Sequence, residues 1–122
     1  KKGKSAVVAC VANEYHQVGG RMVADLFELH GWDGYVVGAN TPLKDLLDLI
    51  EEKEPDVVGL SLAMYFNLPE LLEAINVIQE EHLDLEILVG GQAFRQGGSD
   101  VLDDYQNVKY ISSLKELKKI ID

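Results

Sequence analysis

Apolar positions along the chain recur with two alternating periods. A β-branched run at Ser5 to Val11 reads as a strand, and after a polar loop a helical pattern begins near Gly19, with Met22, Val23, Leu26, Phe27 and Leu29 on its stripe. Gly31 ends that helix, and Gly34 to Gly38 supplies a second short apolar run. Thr41-Pro42 reads as an N-cap followed by proline at the first helical position, opening a helix whose Leu43, Leu46, Leu47 and Ile50 face inward until Pro55 closes it. The run Val57-Val58-Gly59-Leu60-Ser61-Leu62 is almost continuously apolar, as a central parallel strand covered on both faces should be. Asn67 with Glu70 three residues on resembles a capping box, and Leu71, Leu72, Ile75 and Ile78 carry a helix toward His82. A fourth strand is expected at Glu86 to Val89, followed by Gly90-Gly91. Tyr110-Ile111 reads as a short last strand, and Ser113 caps a closing helix bearing Leu114, Leu117, Ile120 and Ile121.

Strands alternating with helices at this spacing imply a parallel sheet with right-handed crossovers. Five such units favour an α/β, flavodoxin-like doubly wound sheet in the order 2-1-3-4-5. Ligands on such sheets bind beyond the carboxyl ends of the strands, at the switch point between the first and third. That rule directs attention to Ala12 to Gly19 and to Ser61 to Phe66.

Composition narrows the classes without choosing among them. The 122 residues suffice for one domain, spanning 1–122, with a core that needs no disulfide or structural metal. An apolar fraction of 47% and a charged fraction of 26% are those of a globular domain, and no apolar run has the length of a membrane span. The basic start, Lys1-Lys2-Gly3-Lys4, leads into a strand and not into a cleavable signal, so a cytoplasmic protein without membrane contact is expected. The single cysteine, Cys10, lies in an apolar run and reads as a buried strand thiol. A net charge of −10 repels phosphate backbones, so no direct nucleic-acid contact by this domain is expected.

The chemistry gathers at one sheet edge. The loop after the first strand reads Asn13-Glu14-Tyr15-His16-Gln17-Val18-Gly19, with an acid two residues before a histidine. Alone, such a histidine is more often a solvated or structurally paired residue than a metal ligand. At the same edge stand Ser61, the pair Gly90-Gly91, and Gly38-Ala39-Asn40-Thr41-Pro42. Ser61 reads equally as an ordinary strand-end hydroxyl or as part of a site. The paired glycines serve either a tight turn or the close approach of a large ligand to backbone. Tyr65 and Phe66 either line a ligand's edge or pack as apolar rim, whereas Trp32, at the start of the second strand, reads as packing.

Together these residues resemble the vitamin-B12-binding domain family, whose pattern is Asp-x-His-x-x-Gly, then Ser-x-Leu, then Gly-Gly at the ends of strands 1, 3 and 4. The resemblance runs over nearly the whole chain. It implies adenosyl- or methylcobalamin as cofactor, with cobalt held from below by His16 in place of the cofactor's own dimethylbenzimidazole. It also implies that the displaced nucleotide tail enters a slot lined by the serine and the paired glycines. Carried over by position, the cofactor-binding residues are Glu14, His16, Gln17, Val18, Gly19, Asn40, Ser61, Ala63, Gly90, Gly91 and Gln92, with His16 the metal ligand. Glu14 then accepts a hydrogen bond from the second imidazole nitrogen, fixing the tautomer and raising the basicity of the first.

Two positions depart from that pattern: Glu14 replaces aspartate, and Ala63 replaces the leucine of Ser-x-Leu. The glutamate form, with Thr41-Pro42-Leu43-Lys44-Asp45-Leu46-Leu47 and Gly90-Gly91-Gln92, is similar to cobalamin domains of light-responsive transcriptional regulators. The expectation is therefore a base-off, histidine-on cobalamin module with a sensory or regulatory role, completed by a helical cap or effector domain in cis or in trans, and cut from a larger protein. The alternative is a corrinoid carrier that shuttles methyl groups between methyltransferases. A phospho-acceptor receiver would need an aspartate where Ser61 stands, and a flavodoxin would need hydroxyls in the loop from Asn13 to Gly19. No nucleophile and base pair, cysteine cluster or zinc spacing is present, so no catalytic activity of the chain's own is expected.

Overall fold

The computed structural model describes residues 3–10, 17–37, 42–94 and 97–121, with side chains of the first helix described from Val23 onward. Five parallel strands, β1 (Ser5–Cys10), β2 (Asp33–Val37), β3 (Val57–Ser61), β4 (Glu86–Gly90) and β5 (Val108–Tyr110), form one sheet in the order β2-β1-β3-β4-β5. They alternate with α1 (Gln17–Leu29), α2 (Leu43–Lys53), α3 (Leu68–Glu81) and α4 (Leu114–Ile121). This is the doubly wound, flavodoxin-like arrangement that the alternation of periods predicts.

Period-two alternation in the strands sorts side chains into two layers. Val7, Ala9, Val58, Leu60, Ile87 and Val89 pack with Leu46 and Ile50 of α2 and Leu71, Ile75 and Ile78 of α3. On the opposite face Ala6, Val57 and Leu88 meet Phe27 of α1 and Leu117 and Ile121 of α4. Trp32 closes that second layer at the lower edge, buried with its ring centroid 5.0 Å from that of Phe27, as the packing reading expects. The central strand is buried from Val57 to Leu60, which explains its unbroken apolar character. Cys10 is buried and forms no disulfide.

Local departures from the sequence reading have simple geometric causes. Leu29, placed on the inner stripe of α1 by its type, is 83% exposed; two residues beyond Phe27 it stands about 200° around the helix, on the solvent side. Leu114 is 42% exposed because it is the first residue of α4. Pro42 occupies the N-cap position of α2, not the first helical position: it is extended (φ −62°, ψ 150°), and its carbonyl accepts from the amides of Asp45 and Leu46. Thr41 lies outside the described residues. Asn67 precedes α3 without a side-chain cap bond. A 3₁₀ turn at Tyr65–Asn67 runs straight into the helix and holds Asn67 at φ −90°, ψ 10°, away from the extended backbone that a capping side chain needs. At α4 the capping expectation is met. The Glu116 amide donates to Ser113 Oγ at 3.2 Å, while the Ser112 amide donates to Glu116 Oε1 at 3.1 Å. Among the described residues no helix is long and apolar enough to cross a membrane.

Candidate functional site

Strand register builds the site. β3 lies between β1 and β4, so that Val8, Gly59 and Leu88 stand side by side, and Cys10, Ser61 and Gly90 form the next row toward the carboxyl ends. Both rows face α1 and α4, because Val58 and Leu60 point into the other layer. Gly59 contributes no side chain at the middle of its row. The gap it leaves, roofed by Val23 and Phe27 of α1 and by Leu114 and Leu117 of α4, is a cavity of about 340 Å³. Ser61, Gly90, Gly91 and Gln92 form one part of its wall, and the connection from Tyr110 to Ser113 forms another. A cavity of this size, mainly apolar with a few polar groups, is within the range of small-molecule sites.

The three glycines of this region do different work. A Cβ at Gly59 would meet only Val8, Cγ2 at 3.6 Å and Cγ1 at 3.8 Å, so the backbone tolerates a side chain there and the space is what the glycine provides. At Gly90 a Cβ would lie 3.4 Å from the Ile111 carbonyl oxygen and toward the cavity rim. Gly91 is required by the fold itself. Its φ is +109°, and a Cβ would fall 2.2 Å from the Leu62 carbonyl oxygen. The Leu62 amide donates to Gly90 at 2.9 Å, and the Leu62 carbonyl accepts from Ala93 at 3.1 Å, so the turn is fastened to the end of β3.

Of the residues singled out from the sequence, Ser61, Gly90, Gly91 and Gln92 come together around this one cavity. Ala63 is half-buried past the end of β3 and does not line it. Gln17, Val18 and Gly19 open α1 at the same sheet edge. Glu14, His16 and Asn40 lie outside the described residues. Phe66 is 67% exposed, whereas Tyr65 packs edge-on against Phe94, with centroids 5.9 Å apart. Sequence reasoning missed Gly59, the most consequential position. The sequence carries a signal only in part: a glycine interrupts the best strand of the chain, which alone reads as a weak point of that strand. It also missed Ser112 and Ser113 as rim residues, Ser113 having been read only as a cap.

The cavity fits a flat, largely apolar group carrying a polar attachment. Its floor is the bare backbone of Gly59 between Val8 and Leu88, its roof is aromatic and aliphatic, and its hydroxyls and one amide, from Ser61, Ser112, Ser113 and Gln92, lie at or beyond the strand ends. Among the described residues the one group of candidate metal ligands, Glu51, Glu81 and His82, has its ligand atoms within 4.8 Å of one another. It joins the carboxyl ends of α2 and α3, away from this edge.

Comparison with known proteins agrees with this geometry. The sequence pattern of the B12 binding domain matches residues 4–112. A dimethylamine corrinoid protein of Methanosarcina acetivorans is 26% identical over 92 residues, covering 74% of this chain and 43% of that protein. The fold superposes with a TM-score of 0.81 on a cobalamin-binding protein from Desulfitobacterium hafniense, at 24% identity over 98% of this chain and 58% of that one. With the methanol:cobalamin methyltransferase complex of Methanosarcina barkeri the TM-score is 0.80, at 14% identity over 100% of this chain and 53% of that one. The chain spans about half the length of the curated corrinoid proteins it matches. With the family pattern running through all five strands and the cavity at their carboxyl edge, the chain belongs to the B12-binding domain family, and its cofactor is cobalamin.

Proposed function

We propose that this domain holds cobalamin base-off and histidine-on, as the lower half of a corrinoid methyl carrier in a longer protein. The observation that carries the reading is the cavity opened by Gly59 between β1 and β4, at the switch point of the sheet and at the edge to which the loop bearing His16 belongs. In this reading His16 would hold the cobalt through one imidazole nitrogen, and Glu14 would accept a hydrogen bond from the other. Gln17, Val18, Gly19 and Asn40 would contribute to holding the corrin. Ser61, Gly90, Gln92 and the Ser112-Ser113 rim receive the nucleotide tail, and Gly91 holds the turn that places Gly90. The chemistry that bound cobalamin would supply is that of a cobalt–carbon bond. The protein's part is to hold the lower face, exclude water from the tail and leave the upper face to a helical cap or partner domain.

Methyl carriage is favoured because the curated relatives are corrinoid proteins named for dimethylamine and one solved relative is a methanol:cobalamin methyltransferase complex. A second reading, a light-responsive regulatory module, rests on Glu14-x-His16-x-x-Gly19 with Thr41-Pro42-Leu43 and Gly90-Gly91-Gln92. In either role the domain's charge of −10 leaves nucleic-acid contact to other segments. The deciding experiment loads the full-length protein with methyl-, adenosyl- or hydroxocobalamin in the dark. Methyl transfer from the loaded protein to a thiol or amine-derived acceptor through a partner methyltransferase supports the carrier. A light-dependent change of assembly without methyl transfer supports the sensor.

A further inference from the structure

We propose that this domain selects among cobamides by their lower base, taking benzimidazole-type bases and discriminating against purines. The inference rests on the tail-in-cavity reading above and adds the chemistry of the tail. The cavity is polarised along the strands. Its inner part is built from the Val8–Gly59–Leu88 row, with Val23, Phe27 and Leu117 over it, and no polar side chain of the described residues reaches this part. The peptide groups of β3 offer nothing either, since β3 is paired with β1 on one side and with β4 on the other. Among the described residues every polar side chain on the lining, Ser61, Gln92, Tyr110, Ser112 or Ser113, stands at or beyond the carboxyl ends of the strands. Tyr110 turns its ring to the other layer, against Phe94.

A base entering from the strand ends leads with the ring farthest from its ribose. In dimethylbenzimidazole that leading ring is a hydrocarbon bearing two methyl groups, which the inner row covers at no polar cost. In adenine it carries ring nitrogens and an exocyclic amine, all hydrogen-bonded in water and all without a partner against Gly59, Leu88 and Leu117. One buried group left unpaired weakens binding by roughly tenfold to a hundredfold. The ribose and phosphate end stays at the rim among the hydroxyls in both cases, so discrimination falls on the leading ring alone.

The test is a titration of the full-length apo-protein with three probes: cobalamin, the cobamide carrying adenine in place of dimethylbenzimidazole, and cobinamide, which has no nucleotide tail. The expected order is cobalamin tightest, with the adenine cobamide roughly tenfold to a hundredfold weaker and cobinamide weaker than cobalamin. If cobalamin and the adenine cobamide bind equally while cobinamide is weaker, the tail is held without selection and this inference alone is overturned. If cobinamide binds as tightly as cobalamin, the cavity does not hold the tail, and the reading beneath the inference falls with it.

Discussion

Gly59→Ala separates the two things a glycine can do in a strand, because it should make the apo-domain more stable and the cofactor complex weaker. The added Cβ meets Val8 Cγ2 at 3.6 Å and Val8 Cγ1 at 3.8 Å, which are ordinary contacts, and no other heavy atom comes within 4 Å apart from its chain neighbours. Nothing in the folded chain has to move. At a compatible backbone position, replacing glycine by alanine narrows the unfolded ensemble and stabilises by about 0.4–1 kcal/mol. In a domain of this size that raises the melting temperature by roughly 2–5 °C. The same methyl projects from the middle of the cavity floor, where a planar base would lie against bare backbone. Overfilling a packed apolar space costs about 1–3 kcal/mol, so cobalamin affinity is expected to fall on the order of tenfold to a hundredfold. Thermal melts of the apo-protein and a spectral titration with cobalamin read the two effects separately. A variant that melts higher and binds cobalamin as tightly as the parent would refute the assignment of this cavity to the tail. A variant that melts lower would refute the account of Gly59 as a position the fold could fill.

Gly91→Ala is expected to behave in the opposite way, destabilising the apo-domain by on the order of 3 kcal/mol or more, since the backbone is left-handed and the Cβ collides with the Leu62 carbonyl; chemical denaturation measures it, and a loss under 1 kcal/mol would mean that the turn can rebuild. His16→Ala is expected to remove the histidine-on absorption spectrum of bound cobalamin while leaving the apo-domain's melting temperature unchanged, and an unaltered spectrum would transfer the ligand role elsewhere. Glu14→Gln retains size and a hydrogen-bonding group but removes the charge behind the imidazole, with an expected loss of about tenfold to a hundredfold in cobalamin affinity; an unchanged titration would make Glu14 a solvated loop residue.

The fold was legible because its signals are periodic and redundant. Among the described residues the five strands and four α-helices are all legible by spacing, and their strict alternation favours the doubly wound order that the sheet has; the short 3₁₀ turns left no such signal. What was illegible lay where one residue's geometry depends on its neighbour's. Pro42 suits either the N-cap or the first helical position of α2, because its fixed φ serves both, and only the carbonyl's acceptance of the Asp45 and Leu46 amides decides. Asn67 and Ser113 look alike as caps in sequence. The preceding 3₁₀ turn disables the first, while no such turn precedes the second, which accepts from the Glu116 amide.

The site was half legible for a different reason. Ser61, Gly90, Gly91 and Gln92 stand out in the sequence because they are distinctive residues at the ends of strands, and they line one cavity. The cavity they border is made mostly by what is missing, and an absent side chain is conspicuous only once its row is known. Gly59 in a continuous apolar run reads as a mild weakness of β3 until the register sets it between Val8 and Leu88, beneath Phe27 and Leu117. Glycine also concealed a division of labour: residues 90 and 91 are one dipeptide in sequence, yet Gly90 faces the cavity rim while Gly91 is dictated by the Leu62 carbonyl. The glycines of this edge therefore do different work: Gly91 shapes the backbone, where a Cβ would strike the Leu62 carbonyl, while Gly59 shapes the space, where the fold itself would accept a methyl.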